Sequence, residues 1–330
     1  MREFELPRTT RIPARRGGAS GHGQPAPLDD LDGSVRVVVL VGFAATFSAF
    51  AFGLAESLAR HGVEVDVRMP TEGVGDADIA IAVGLHRFST PLLRRVRRSA
   101  VLVGIQTEQL TTPAQGAGRY GAKHRASVLR NIRQVDVAID WHRENLTVLR
   151  RYHRNVHAVP YGLVEADQFP PHSEPPSYEV AFVGHVDALD GRRRKILHQL
   201  SHRFVVHPTF EGAWGADKFA VFSSSRIVLN LHVEASAVFE SPRFYDVLGA
   251  RRPLISEPVH DPWPFQRGVD YCEATVFTLE HEIDRLLANE AERERLVAAG
   301  RQSVDEHSMD ASAASLLRLA LVAHQNRSAR

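Results

Sequence analysis

The sequence predicts an α/β protein made of two doubly wound units in tandem, and three observations carry that prediction. Short β-branched runs alternate with amphipathic helical segments along most of the chain. The runs are apolar at every residue instead of every second one, as expected of strands buried on both faces of a parallel sheet. A proline cluster, Phe169-Pro170-Pro171-His172-Ser173-Glu174-Pro175-Pro176, interrupts the series once, and the alternation restarts beyond it.

Residues 1–33 are rich in Pro, Gly, Arg and Asp without any period and are expected to form a disordered tail. The first unit, 34–163, opens on an ambiguous stretch. Val37 to Ala55 carries no charge for 19 residues, about the minimum for a membrane span. However, Val35–Val41 is β-branched, Gly42 breaks the run, and Phe43–Arg60 reads as a helix stopping at Gly62, so strand, turn and helix are expected and no integral span. Strands then follow at Val63–Arg68, Ile79–Val83, Ala100–Ile105, Val135–Ile139 and Val156–Val159, with helices at Pro91–Arg98, His124–Gln134 and Arg143–Tyr152. After a linker at 164–177, the second unit, 178–306, has strands at Glu179–Val183, Phe204–Val206, Ile227–Leu231, Pro253–Ser256 and Thr275–Phe277. Its helices are Arg192–Ser201, Arg243–Leu248, Leu279–Ala288 and Glu290–Asp305. The remainder, 307–330, is a terminal helix centred on Ala311–Ala323 that can dock on either unit.

Composition excludes several classes. Lys+Arg 40 against Asp+Glu 39 gives a formal charge of +1, too little field for a dedicated nucleic-acid binder. One cysteine, Cys272, forms no internal disulfide and fits a reducing compartment. The basic start is broken by acids and prolines and has no apolar core before a cleavage site, so a cytoplasmic location is expected. Lysine occurs only at Lys123, Lys195 and Lys218, leaving 37 arginines.

Familiar motifs are mostly missing. The turn Val41-Gly42-Phe43-Ala44-Ala45-Thr46-Phe47 has Ala44 and Phe47 where a dinucleotide fingerprint needs glycines, which weakens a NAD(P)-type alternative. There is no P-loop, HExxH or GxSxG, and Asp76-Ala77-Asp78 precedes a strand, where aspartates cap turns. No metal site is expected. The second unit is richer. Gly184 ends its first strand, and Arg192, Arg193 and Arg194 begin the next helix, an arrangement that suits a diphosphate or, equally, a solvated basic turn. Ser241 and Pro242 open a later helix, with Arg243 in its first turn and Asp246 on the same face. That pair is either a grip for phosphate and ribose or an ordinary surface ion pair.

The run from Val180 to about Leu319 resembles the carboxyl-terminal half of GT-B glycosyltransferases, in particular the group-one branch that includes spore-maturation-type proteins. The resemblance rests on Phe182-Val183-Gly184 followed by Arg192-Arg193, on Arg226–Asn230 before Arg243–Asp246, on Arg252–Ser256, and on His307-Ser308. Val159-Pro160-Tyr161-Gly162 before the linker also looks like that architecture. It implies two Rossmann-like domains and transfer of a sugar from a nucleotide-diphosphate sugar to a hydroxyl or amine, without a metal or other cofactor. The acceptor, a small molecule or glycan, and the retaining or inverting outcome stay open. The donor site is then expected at Gly184, Arg192, Arg193, Glu240, Ser241, Arg243 and Asp246, the last standing where the family has Glu. Val238 occupies the place of a second family Glu, and Arg251 and Arg252 stand where small residues are usual. These departures keep a second reading open, a catalytically degenerate GT-B protein that binds without turnover. For the acceptor's proton, three strand ends of the first unit offer His86, Glu108 and His142; His86 and Glu108 are the preferred candidates.

Overall fold

The computed structural model describes residues 10–14, 35–110, 118–163, 176–186, 191–208, 213, 216–233 and 239–329. Most of the expected tail, residues 164–175 of the linker, and Val238 lie outside them. The chain divides into two compact units: one of Met1–Pro113, Ala117–Val164 and Ser308–Arg330, the other of Ala114–Gly116 and Glu165–His307.

In the first unit the strands are β1 (Thr10–Ile12), β2 (Arg36–Val41), β3 (Glu64–Arg68), β4 (Ile79–Val83), β5 (Val101–Gln106), β6 (Val137–Asp140) and β7 (Val156–Ala158). They lie in the order β1-β3-β2-β4-β5-β6-β7, parallel except for β1, which pairs antiparallel with β3 at the edge. β1 falls within the stretch expected as tail, and three residues are too few to show a period. The unbroken apolar runs are explained by the two faces. Val37, Val39 and Val41 enter one core with helix α1 (Ala44–Arg60), while Val38 and Leu40 enter the other with α2 (Thr90–Ser99) and α3 (Gly118–Asn131). The charge-free stretch is thus strand, turn and helix; among the described residues no helix is long and apolar enough to cross a membrane. The expected helix at Arg143–Tyr152 contracts to a 3-10 turn and a single turn of helix, α4 (Leu146–Leu149). Asp78 accepts the Arg36 backbone N–H at 2.9 Å, the turn role its place before a strand suggested.

The terminal helix belongs to this unit. It is the last helix, α10 (Met309–Ser328), and it places Met309, Ala313, Leu316, Leu317 and Ala320 in the core that also holds α1. Arg60 binds Asp310 at 2.8 Å, and Ser312 Oγ donates to the Pro160 carbonyl at 2.9 Å. Gly162, at φ +79°, passes so close that a Cβ there would lie 2.7 Å from Met309 Cα.

The second unit has a parallel sheet ordered β11-β10-β9-β8, from β8 (Tyr178–Ala181), β9 (Ser225–Asn230), β10 (Leu254–Ser256) and β11 (Cys272–Glu273). Its helices are α5 (Arg192–Ser201), α6 (Ala216–Ser223), α7 (Ser241–Gly249), α8 (Leu279–Ala288) and α9 (Glu290–Glu306). Two expected strands change. Phe204–Val206 contributes a single bridge, Val206 to Val180. Thr275–Phe277 is a turn: Thr278 Oγ1 accepts the Thr275 N–H at 3.0 Å and Phe277 stands 97% exposed, so the edge strand forms earlier, at Cys272. Burial first, then Glu282, pushes the Cys272 thiol up to about 12, which removes it from nucleophilic chemistry.

Candidate functional site

In the second unit, charged side chains collect at the carboxyl ends of β8, β9 and β10, where ligands of doubly wound sheets bind. Arg193, only 4% exposed, donates through Nε to the Leu231 carbonyl at 2.8 Å, through Nη1 to His185 O at 3.2 Å and through Nη2 to Glu240 Oε1 at 2.8 Å. Arg243 Nη2 holds the other oxygen of Glu240 at 2.9 Å. Both guanidinium groups lie over the Phe182 ring, at 5.2 and 5.0 Å. Burial alone would raise the Glu240 pKa; Arg243 and Arg193 outweigh it and hold the carboxyl below its ordinary range. Two guanidinium groups therefore share one carboxylate and leave an excess positive charge.

That charge has a free edge. Arg243 Nη1 is buried without a hydrogen-bond partner among the described residues, and so is Ser241 Oγ in the first turn of the same helix. A buried donor left unmade costs about 1–3 kcal/mol, and a native structure tolerates that where a ligand completes the bond. Gly184 packs closely beside it: at φ +157° a Cβ there would be strained and would stand 3.0 Å from both Arg243 Nη2 and Phe182 Cζ.

Arg192 is occupied differently from the simple expectation. Its Nη1 and Nη2 form a bidentate pair with Glu257 at 2.8 and 2.5 Å, and Nη1 also reaches His232 O at 3.0 Å. Glu257, the residue after β10, further accepts the His232 N–H at 2.7 Å. Sequence reasoning missed Glu257 and His232, although a carboxylate directly after a buried strand was the available signal. The His232 imidazole is kept neutral chiefly by burial. Its Nε2 lies 3.1 Å from Pro258 O, and its buried Nδ1 has no partner among the described residues.

Asp246, one turn along α7 from Arg243, receives Lys218 Nζ of α6 on Oδ2 at 2.5 Å. After α7, Arg251 sits in the left-handed region at φ 53°, with its N–H bonded to Leu248 O and the Arg252 N–H to Val247 O. This is the double bond pattern of a Schellman cap. The two arginines that depart from the family pattern thus terminate a helix, and Arg252 also donates to Ser223 O at 2.5 Å.

In the first unit, the two preferred strand-end candidates come together. His86 follows β4 and Glu108 follows β5; His86 Nε2 lies 3.5 Å from Glu108 Oε1, with the His124 ring of α3 4.7 Å from that of His86. Gln106, Asp140 and Asn145 fix the backbone at Glu108: Asn145 Nδ2 donates to Glu108 O at 2.8 Å and to Asp140 Oδ2 at 3.0 Å, and Gln106 Nε2 reaches the same Asp140 oxygen at 2.9 Å. Burial first, then His124 and Arg87, lowers the His86 pKa to about 4. Arg87 Nε donates to His86 Nε2 at 2.8 Å, so that imidazole is neutral with its lone pair engaged. His86, Glu108 and His124 have metal-ligand spacing, their ligand atoms within 4.8 Å of one another; Arg87 Nε holds His86 Nε2, and the buried His86 Nδ1 has no partner among the described residues. His142 is buried beside its own strand, with its backbone N–H on Asp140 Oδ1 at 2.7 Å and its Nδ1 3.5 Å from the same oxygen.

Two units, each built on a largely parallel sheet with helices packed on it, are the architecture of the GT-B fold. Solved structures agree on the fold. Sucrose-phosphate synthase from Thermosynechococcus elongatus matches with a TM-score of 0.65 at 13% identity, covering 90% of this chain and 100% of that one. HepE from Anabaena, in complex with UDP and glucose, gives 0.59 at 10% identity over 90% and 100%, and a glycosyltransferase from Rickettsia africae 0.58 at 9% over 88% and 99%. No curated protein matches by sequence. Residues 188–318 match the family model described as glycosyl transferase-like. The solved structures show that this chain has the GT-B fold, and residues 188–318 are similar to the glycosyl transferase-like family; the spore-maturation branch is finer than these matches resolve.

Proposed function

We propose that the protein transfers a sugar from a nucleotide-diphosphate sugar, held by the second unit, to an acceptor hydroxyl. The observation that carries the reading is the unpartnered buried edge of Arg243, with Ser241 Oγ beside it at the start of α7. Departure of the nucleotide diphosphate builds negative charge on its β-phosphate. A pre-placed guanidinium, the α7 N-terminus and the backbone at Gly184 stabilise that charge without reorganising. Arg193 and Glu240 hold Arg243 in place, and Arg192 with Glu257 braces the neighbouring strand ends, so these four act mainly as support. Asp246 takes the ribose hydroxyls. In the first unit Glu108 is the better proton acceptor of the preferred pair, because its carboxylate is 37% exposed whereas His86 is buried and already bonded to Arg87. This assigns the charge neutralisation to the protein's own cations, in keeping with a metal-independent reaction.

Calorimetry with UDP, GDP and dTDP tests the donor site. Arg243→Ala is expected to weaken the diphosphate that binds by about 10- to 100-fold, the loss of one charge-assisted hydrogen bond, and Asp246→Ala to weaken it as well. If none of the three binds the intact chain, or both variants bind like the parent, the assignment is wrong. Mass-spectrometric detection of donor hydrolysis or transfer separates an active transferase from a binder without turnover.

A further inference from the structure

At the carboxyl ends of β4 and β5, three side chains of metal-ligating type meet from separate elements, and two of them are carried by braced backbone. His86 lies in the turn Leu85–Arg87, Glu108 stands two residues after β5, and His124 projects from α3. Helix α3 clamps the turn: Ser127 Oγ donates to the His86 carbonyl at 3.0 Å, and Asn131 Nδ2 donates to the Leu85 and Phe88 carbonyls at 2.9 and 2.8 Å. Glu108 is held at its N–H by Gln106 Oε1 and at its carbonyl by Asn145. Ligands fixed in this way make a preorganised site. An ordinary core histidine is the plainer reading of His86, and its bonding argues against it. The side chain is 2% exposed. Yet its Nδ1 has no partner among the described residues, and its Nε2 is bonded to Arg87, an exposed residue whose guanidinium rests over the Phe43 ring at 4.8 Å. Buried polar groups normally find their partners inside the protein; this imidazole offers its lone pair to a cation at the surface.

We infer that His86, Glu108 and His124 form a binding site for a tetrahedral divalent transition metal, Zn2+ by its ligand set, and that Arg87 holds the ion's place until it binds. The distances suit that ion. Donors at about 2.0–2.1 Å stand about 3.4 Å apart on a tetrahedral centre and about 2.9 Å apart on an octahedral one. His86 Nε2 and Glu108 Oε1 are 3.5 Å apart, and the His124 donor lies within 4.8 Å of both, a gap that rotation of a half-buried side chain closes. Two imidazoles and a carboxylate are ligands that suit zinc, and three protein ligands leave a fourth position for water. The ion needs the Nε2 lone pair that the Arg87 N–H engages, so ion and guanidinium compete for it, and Arg87 is free to swing into solvent. Zinc bound there takes up the Glu108 carboxylate, which makes the ion a blocker of that proton acceptor and no part of sugar transfer. The site itself stands apart from the donor reading of the second unit.

The experiment titrates the full-length protein, first stripped with a chelator, with Zn2+ by calorimetry and with Co2+ by visible absorption. The chains compared are the parent, Glu108→Gln, His124→Gln, Arg87→Met and the double variant His198→Gln/His202→Gln. The last controls for stray binding, because the exposed His198 and His202 stand one turn apart at the end of α5 with their rings 4.8 Å from each other. The parent should bind one Zn2+, show the intense bands of four-coordinate Co2+ and ignore Mg2+. Glu108→Gln and His124→Gln alter half-exposed side chains, so they should fold as the parent does while binding zinc about 100-fold more weakly, at least the cost of losing a group that merely orients a ligand. Arg87→Met should bind it about 10-fold more tightly, since a competing charge-assisted hydrogen bond is gone. Zinc should raise the melting temperature of the parent and of Arg87→Met, and not that of the two ligand variants. A parent that binds no zinc overturns the site, as does an affinity that survives in Glu108→Gln and His124→Gln or is lost in the α5 double variant instead. Equal affinity in Arg87→Met overturns the role given to Arg87. None of these results bears on nucleotide binding, so failure here leaves the donor site standing.

Discussion

Gly162→Ala is the sharpest test of how the first unit is closed. Gly162 and Gly62 both adopt left-handed backbone, at φ +79° and +88°, so an alanine at either carries the same conformational penalty of about 1 kcal/mol. Their surroundings differ completely. A Cβ at Gly62 meets nothing within 4 Å, whereas at Gly162 it would stand 2.7 Å from Met309 Cα, 2.8 Å from Met309 N and 3.1 Å from Ser308 C. Those are backbone atoms of the α10 entry, and they cannot rotate aside. The first turn of α10 is further tied by Arg60 to Asp310 and by Ser312 to Pro160, with Met309 only 2% exposed. Relief therefore requires the helix to shift by several tenths of an ångström, an overpacking cost of about 1–3 kcal/mol beyond the shared penalty. Gly62→Ala should lose about 1 kcal/mol and Gly162→Ala about 2–4. Denaturant unfolding compares the two, and hydrogen exchange of the α10 amides shows where the loss falls. Equal destabilisation of both variants, with α10 exchange unchanged, would refute the steric argument.

Other consequences are direct. Arg251→Gly should stabilise the second unit by about 1 kcal/mol in thermal unfolding, because glycine adopts the left-handed cap at no steric cost. Among the titrating groups, His86 gives a clear pH signature. Its folded pKa of about 4 lies below the ordinary value, so the unfolded chain binds the proton more readily. The stability it contributes is complete above about pH 6.5 and is lost as pH falls toward 4, with a total on the order of 3 kcal/mol. His86→Gln should flatten the stability profile across that window, and an unchanged profile would contradict the buried neutral imidazole. Binding losses for Arg243→Ala and Asp246→Ala are expected as described above.

Much of the architecture was legible because burial on two faces writes itself into the sequence. Val37–Val41 and Ile79–Val83 are apolar at every position since alternate residues feed different cores. Helix α6 escaped notice because Ala216–Ser223 mixes the exposed Asp217 with buried Phe219, Val221 and Phe222 directly ahead of a strand, so its period blurs into the apolar run that follows. The candidate site was legible as residue types at strand ends. What could not be read was who holds whom. Arg192 and Glu257 are 65 residues apart, and Lys218 and Asp246 28, and nothing local in either stretch announces the partner. The basic turn therefore read equally as a diphosphate site or as a solvated surface turn, whereas its first two arginines are largely spent on carboxylates and carbonyls, and the free edge belongs to Arg243.

The place of α10 also bears on how the molecule is made. A core that needs Met309, Leu316 and Leu317 from beyond the second sheet stays open on one face until α10 has been made, whereas the whole segment that forms the second sheet has been synthesised before α10. The second unit is thus free to fold ahead of the first, whose strands wait, with a valine-rich face uncovered, for a helix that lies beyond another domain in the sequence.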